Sequence, residues 1–399
     1  MPRVFVVGTA DTKPQELAYV ADLLRQRLGS VCVVNVGTRP SRLPVDVSAQ
    51  EVAAFHPDGA AAVLDLDDRG AAVTAMGLAF SRFLSSRHDI AGVIGIGGGG
   101  GTSIITAGMR ELAYGIPKVM VSTMASGDVA PYVGISDIVM IPAVTDLAGL
   151  NTLNRVVLHN AAEAMAAMVS HPPPRGTDKP AIGLTMFGVT TPCVTAIVNA
   201  LGSEHDCLVF HATGIGGRTM EKIADSGMLA GFIDITTTEV ADLLLGGVLP
   251  ATDDRFGAVA RTGLPWVGSV GALDMVNFGP IDTVPVQQRG RNLYRHNPQV
   301  TLMRTTAEEC RRISAWIAGR LNLCHGPVRL LLPERGISAL DVDGREFHDP
   351  EADEALFCSL ESELSLTDLR QVFRLPYHIN DPEFAAAAVR HFREASAAR

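Results

Sequence analysis

Five consecutive glycines, Gly97 to Gly101, are followed by Thr102 and Ser103 and stand between two apolar segments. The segment before them, Ile90 to Ile96, reads as a buried strand, and the one after, Ile104 to Tyr114, reads as a helix. A glycine-rich turn ahead of a helix brings several backbone N–H groups close to a ligand with no Cβ in the way. The helix dipole adds partial positive charge there, so the natural guest is a phosphate or a carboxylate. One glycine suffices for a turn and five are entropically costly, which favours a ligand over a mere reversal of the chain. No Gly-Lys-Ser/Thr follows, so this is not a Walker A loop, and the poly-glycine blurs the strict dinucleotide fingerprint.

Three further stretches carry the same kind of chemistry. Gly8-Thr9-Ala10-Asp11-Thr12-Lys13 precedes Pro14; Asp11 or Thr12 could cap the helix that Pro14 opens, and Lys13 could meet a phosphate. Thr123-Met124-Ala125-Ser126-Gly127-Asp128 offers hydroxyl donors to phosphate, with the Asp128 carboxylate available to a cation or a sugar hydroxyl. Asp146 and Asn151 are weaker candidates for the same pocket. His211-Ala212-Thr213-Gly214-Ile215-Gly216-Gly217-Arg218 reads as a second anion cradle, with a helix starting around Arg218 and a guanidinium suited to a carboxylate or phosphate. His211 is either an acid/base group or a satisfied core histidine. Thr236-Thr237-Thr238-Glu239 reads at least as a helix cap with a carboxylate near the dipole's positive end. His211, Glu239 and His296 could converge as a catalytic or metal-binding set, although no HxH or HxxxH spacing supports a metal. Arg255, Asp274, Asn277, Asn297, Glu334, Asp349, Asp353, His378 and Asn380 add polar groups near glycine or proline turns. No GxSxG elbow is present, and no Cys–His pair can be specified.

The elements that must position these residues alternate between strand and helix in both halves. Val4 to Gly8, Val31 to Gly37, Ala61 to Leu66, Gly92 to Gly97, Lys118 to Ser122 and Ile138 to Ile141 read as strands, with helices such as Pro14 to Leu28 and Ala71 to Leu84 between them. The rhythm repeats at Ala181 to Phe187, Cys207 to Ala212, Gly231 to Ile235, Trp266 to Val270, Val328 to Leu332 and Gln371 to Phe373, and a final helix runs from an Asp381 cap to about Glu394. Continuous apolar strands between amphipathic helices imply an α/β protein with parallel sheets covered on both faces. The proline-rich run His171 to Pro180 divides it into two Rossmann-like domains, 1–175 and 181–399. Arg39 to Phe55, rich in Pro, Ser and Val, reads as an excursion that could contact a partner.

Composition bounds the rest. At 399 residues and 47% apolar, the chain can bury two substantial cores, and its 19% charged residues are fewer than the usual ~25%. A net charge of -10 with no basic tract argues against nucleic-acid binding. The six cysteines form no CxxC pair and read as reduced thiols. The N-terminus starts directly on a strand and no apolar run reaches membrane-spanning length, so a cytoplasmic protein with no membrane partner is expected.

Taken in order, these motifs, with Met186-Phe187-Gly188-Val189-Thr190-Thr191-Pro192-Cys193 and Asp349-Pro350-Glu351-Ala352-Asp353, resemble an uncharacterised bacterial and fungal family along essentially the whole chain. That family is related to the N-terminal domain of the plant tomato-mosaic-virus resistance protein. The resemblance implies two Rossmann-like subdomains, a homodimer or higher homo-oligomer, and ATP with Mg2+ in the N-terminal half. Carried over motif by motif, it points to Thr9, Asp11, Lys13, Gly97, Gly98, Gly99, Gly100, Gly101, Thr102 and Ser103 as the nucleotide site. It adds Thr123, Met124, Ala125, Ser126, Gly127 and Asp128, with Asp128 on the metal. In the plant protein this region inhibits a viral replication protein. Some relatives carry a barrel domain after it; with the chain ending near Arg399, that activity is not expected here.

The expected protein is therefore a nucleotide-dependent enzyme acting on a small anionic metabolite between its halves, with His211, Arg218 and Glu239 as the catalytic candidates. Two alternatives stand beside it: an ATP-binding regulator without turnover, and an ATP-independent hydrolase or lyase of an acidic metabolite.

Overall fold

The computed structural model describes residues 2–171, 176 and 178–397. The chain divides into two compact units, residues 1–175 and 176–399. Most of the proline-rich run expected to separate them, Pro172 to Arg175 and Thr177, lies outside the described residues.

In chain order the first unit contains β1 (Arg3–Gly8), α1 (Pro14–Leu28), β2 (Val31–Asn35), α2 (Ala49–Ala53), α3 (Ala61–Leu64), α4 (Arg69–Ser85) and β3 (Ile90–Gly97). It continues with α5 (Gly99–Met109), β4 (Lys118–Ser122), α6 (Ala130–Val133), β5 (Val139–Pro142) and α7 (Thr152–Ser170). All five strands are parallel, in the order β2-β1-β3-β4-β5. Side chains alternate across the sheet: Val4 and Val6 enter the core beneath α1 and α7, while Phe5 and Val7 enter the one beneath α4 and α5. Both faces are thereby apolar, which is why these strands read as continuous hydrophobic runs.

The second unit runs through β6 (Ala181–Met186), α8 (Thr191–Leu201), β7 (Asp206–His211), α9 (Ile215–Asp225), β8 (Gly231–Thr236), α10 (Glu239–Leu245), α11 (Gly257–Thr262) and β9 (Trp266–Gly271). Then follow β10 (Met275–Phe278), β11 (Leu293–Asn297), β12 (Val300–Arg304), α12 (Ala307–Leu321), β13 (Val328–Pro333), α13 (Pro350–Glu363), β14 (Arg370–Leu375) and α14 (Pro382–Ala397). Six strands make a parallel sheet in the order β14-β13-β9-β8-β6-β7, and β10-β12-β11 form a separate antiparallel sheet. The main sheet buries Ile182, Leu184, Ile233 and Leu331 under α8 and α14, and Phe232, Trp266 and Leu330 on its other face. The protein is thus α/β, with two mostly parallel, Rossmann-like sheets.

Three expectations differ from this architecture. Ala61 to Leu66 is not a strand; Ala61–Leu64 is the short helix α3. Its alanines favour helix, and the five-stranded sheet is complete without it. The antiparallel sheet was not anticipated, because β11 is largely exposed and polar (Leu-Tyr-Arg-His-Asn) and departs from a regular register between Arg295 and Asn297. Asp381 does lie just ahead of α14, but its carboxylate accepts from the His378 N–H at 2.8 Å instead of capping the helix.

A buried charge cluster ties the second unit together. The Arg255 guanidinium donates to Glu239 at 3.1 Å, Glu221 at 3.0 Å and Asp234 at 2.8 Å. Asp234 also accepts from the Trp266 indole at 3.1 Å, and Glu221 from the Phe256 and Ala258 N–H groups. Burial pushes the Glu221 carboxyl up against the pull of Arg255 and those two amides. The guanidinium stays charged. Arg255→Met should lower stability by about 3–5 kcal/mol, because it leaves buried carboxylates without a counter-charge. Urea unfolding at neutral pH measures this, and a loss under ~1 kcal/mol would show the cluster to be dispensable.

Candidate functional site

In the first unit, β1 connects to β2 on one side and the chain then returns to β3 on the other, so the sheet's topological switch lies between β1 and β3. Open α/β sheets bind ligands outside the carboxyl ends of the strands at that point. Here a cleft of about 410 Å³ occupies it, walled by the segment after β1, the opening of α5, Thr38 and Arg39 after β2, and Arg69 and Val73 of α4.

The glycine run is not the loop that the sequence suggests. Gly98 is the N-cap of α5, and Gly99, Gly100 and Gly101 form the helix's opening turn. The first i→i−4 bond runs from the Thr102 N–H to the Gly98 carbonyl at 2.8 Å, so the amides of Gly99 to Gly101 precede the intrahelical ladder. Packing explains one of these glycines and not the others. A Cβ on Gly97 would stand 2.7 Å from the Thr102 nitrogen, which the backbone forbids. On Gly98, Gly99 and Gly101 it would meet nothing closer than 3.7, 3.9 and 3.6 Å, ordinary contact. Each helical glycine costs about 1 kcal/mol relative to alanine, yet the fold does not ask for these. What they leave is bare backbone facing the cleft.

Positive charge surrounds that surface. Lys13 is buried, and its Nζ donates to the Leu147 carbonyl at 2.6 Å with two of its three N–H donors to spare. Arg39 and Arg69 are exposed on the cleft wall and make no ion pair among the described residues. Arg69 is the first residue of α4, where the helix dipole disfavours a cation. One carboxylate, Asp11, opposes them, and its buried Oδ1 has no hydrogen-bond partner.

The predicted nucleotide set divides accordingly. Thr9, Asp11, Lys13 and Gly98 to Gly101 line the cleft; Gly97, Thr102 and Ser103 do not. The Thr102 hydroxyl pairs with Ser122 at 2.6 Å, tying α5 to β4, and Ser103 bonds back to the Gly99 carbonyl. Neither Asp11 nor Thr12 caps α1, whose N-cap is Lys13; the Thr12 hydroxyl instead pairs with Thr9 at 2.6 Å. In the third stretch, Thr123 and Met124 approach the Cβ positions of Gly98 and Gly99, whereas Ala125, Ser126, Gly127 and Asp128 lie off the cleft wall. Asp128 is exposed and accepts from the Ala130 N–H at 3.0 Å. No group of three or more His, Cys, Asp or Glu side chains among the described residues is placed to hold a metal. Asn151 caps α7. The Arg39 to Phe55 stretch packs onto its own unit: Val47 bridges to Val34, Ser48 and Glu51 box the start of α2, and Arg39 faces the cleft. Arg39, Arg69, Thr38 and Val73 were not among the expected ligand contacts, since only the folded chain brings β2 and α4 beside the glycines.

The second expected cradle exists and holds an anion of the protein's own. The helix there starts at Ile215, earlier than expected, with Gly214 as its N-cap. The N–H groups of Gly214 and Gly217 donate to Glu239 Oε1 at 2.8 and 3.1 Å, and a Cβ on Gly217 would strike that carboxylate. Glu239 is wholly buried and saturated by these amides and Arg255. His211 is exposed and stacks on Phe187 with ring centroids 5.2 Å apart, while Arg218 is exposed on α9. His296 lies on the exposed strand β11 near Tyr294. Among the described residues, His211, Glu239 and His296 share no hydrogen bond, ion pair or ring contact with one another.

Two family models match successive parts of the chain: the N-terminal domain of the uncharacterised protein family UPF0261 at residues 2–174 and its C-terminal domain at residues 179–396. The chain belongs to UPF0261. It is 65% identical to a UPF0261 protein of Rhizobium meliloti over 394 residues, 99% of each chain. A UPF0261 protein of Clostridium tetani is 44% identical over 96% of each. The ToMV resistance protein Tm-1(GCR237) of Solanum lycopersicum is 45% identical over 99% of this chain, which covers 56% of the plant protein. No helix among the described residues is long and apolar enough to cross a membrane.

Alanine at Gly99 or Gly101 should leave the UPF0261 chain as stable as before, or up to ~1 kcal/mol more so, whereas Gly97→Ala should destabilise it. Urea unfolding midpoints separate the two classes; equal losses at all three positions would mean that packing, not a ligand, demands the glycines.

Proposed function

We propose that the N-terminal unit binds a phosphate-bearing ligand, ATP with Mg2+, in the cleft at the β1/β3 switch point, and that the chain is a nucleotide-dependent enzyme acting on a small anionic metabolite. The observation that carries the binding reading is the bare opening turn of α5. Its glycines are not required by packing, their amides precede the helix ladder, and Lys13, Arg39 and Arg69 stand around them.

The residues present fit a polyphosphate. The amides of Gly99 to Gly101 would accept its terminal oxygens, Lys13 would neutralise charge beside them, and the two arginines would bind bidentately from the rim. For the metal, Asp11 fits better than Asp128. Asp11 has a buried, unpartnered oxygen inside the cleft, while Asp128 is exposed and bonded to Ala130. When bound, ATP supplies an activated phosphoryl group; the chain's part is to orient it and offset its charge.

A second reading, a nucleotide-binding regulator, is favoured by one feature. The cleft wall includes no His, Cys or Ser, and its Thr9 and Thr12 hydroxyls bond to each other. Binding is provided for more plainly than chemistry.

Calorimetric titration with ATP and Mg2+, and separately with a non-hydrolysable analogue, tests the proposal. Both should bind, and Lys13→Ala should weaken each by more than about tenfold. No binding of either would overturn it. Binding without ATP consumption in the presence of cell-extract metabolites would favour the regulator.

A further inference from the structure

A second buried guanidinium in the C-terminal unit is shared differently from Arg255. Arg304, at the end of β12, donates to the Phe347 carbonyl at 2.7 Å, to the Thr305 hydroxyl at 3.1 Å and to Asp353 Oδ1 at 2.7 Å. Its Nη2 also lies 3.6 Å from Asp341 Oδ1, beyond hydrogen-bond reach. Asp274, in the turn between β9 and β10, completes the group and accepts from the Ser338 hydroxyl at 2.7 Å. Asp274 and Asp341 are wholly buried, and each keeps an Oδ1 with no hydrogen-bond partner. Gly336, at φ +118°, packs against the Asp341 carbonyl and allows the loop after β13 to hold that carboxylate in place.

One guanidinium cannot offset three carboxylates in the interior, and no metal-ligand set forms among the described residues. The remaining counter-charge is a proton. Asp353 is where it sits: as a neutral acid it donates to Asp341, whose free oxygen then has a partner. Asp353, unlike the other two, lines a cavity, one of about 470 Å³ beyond the carboxyl end of β13.

We infer that this cavity is a binding site for a small 2-oxo or 2-hydroxy acid, in which the neutral Asp353 carboxyl donates a hydrogen bond to the ligand's oxygen and Arg335 holds its carboxylate. Arg335 lies on the same wall and forms no ion pair among the described residues. The other carboxylates on that wall are compensated or in solvent. Arg374, on β14, spans Glu354 at 2.8 Å and lies 4.0 Å from Glu334, and the Asp343 side chain is fully exposed at the rim. His348 is a further titratable group there, with Nε2 4.0 Å from Asp343. The site lies in a different unit from the ATP cleft and does not depend on it.

Burial, and then the Asp341 charge, push the Asp353 carboxyl up to about 8; the same two influences push Asp274 up to about 7. The cluster titrates as a unit. An acid near 8 in the native chain and near ~4 when unfolded holds an extra native proton between those values, so its contribution to stability falls as pH rises through that window.

The test is calorimetric titration of the full chain with pyruvate and with 2-oxoglutarate from pH 6.5 to 9. At least one should bind at neutral pH, with affinity falling by about tenfold per pH unit above 8. Asp353→Asn keeps a donor for Asp341 but cannot titrate, so it should bind comparably at neutral pH and lose that decline. Arg335→Gln should weaken binding by about tenfold or more. Urea unfolding of Asp353→Asn should also show a shallower loss of stability between pH 5 and 8 than the unsubstituted chain. Failure of both acids to bind, binding indifferent to Arg335, or the same pH decline in Asp353→Asn would each overturn the inference.

Discussion

Removing one guanidinium and three carboxylates from water is the constraint around which much of the C-terminal unit is arranged. Arg255 can be buried because each of its carboxylates arrives on a different element: Glu221 on α9, Asp234 on β8 and Glu239 at the start of α10. Holding those oxygens at hydrogen-bond distance fixes the three elements relative to one another more tightly than non-directional apolar packing does. It also dictates sequence nearby. Gly217 has no room for a Cβ because Glu239 lies under the first turn of α9, and Trp266 turns its indole N–H towards Asp234.

The same demand for an anion explains why two similar glycine motifs have different fates. Both α5 and α9 open with glycines after a parallel strand, and both helix dipoles favour negative charge at that end. At α9 the carboxylate of Glu239 meets the demand from within the chain. At α5 no acidic side chain reaches the opening amides, and the nearest charged groups on the cleft wall include Lys13, Arg39 and Arg69. An internal anion makes the first a structural joint. The cations around the second would repel no anion and leave the place to a ligand.

Period and composition made the parallel architecture legible. Strands buried on both faces read as unbroken apolar runs, and nearly every such run proved to be one; Lys118–Ser122 and Pro14–Leu28 have the expected bounds. The exceptions have physical causes. Ala61–Leu64 is too rich in alanine to resist helix formation, and β11 lacks an apolar signature because it is exposed. For the sites, a motif's chemistry was easier to read than its partner. Residues contiguous in sequence, such as Thr9, Asp11, Lys13 and Gly98 to Gly101, were visible as a group, while Arg39 and Arg69 join them only through the crossover geometry. Nothing local marked Glu239 as the occupant of the α9 cradle, because its partners lie 22 and 25 residues away.

The two buried arginines also separate structure from reactivity within one sheet. Around Arg255 every guanidinium nitrogen faces a carboxylate, and backbone amides take up further lone pairs, so protonation would break bonds and gain none. Around Arg304 two of the five donors go to backbone or hydroxyl oxygen along Nε and Nη1, and one Nη2 contact at 3.6 Å is too long to count as a bond. Carboxylates there outnumber the directional contacts available to them. A proton relieves that imbalance at less cost than any rearrangement of the β13 loop, and Asp353 is the member of the group with access to open space. Saturation makes the first cluster inert; the deficit in the second is what leaves an acid facing a cavity.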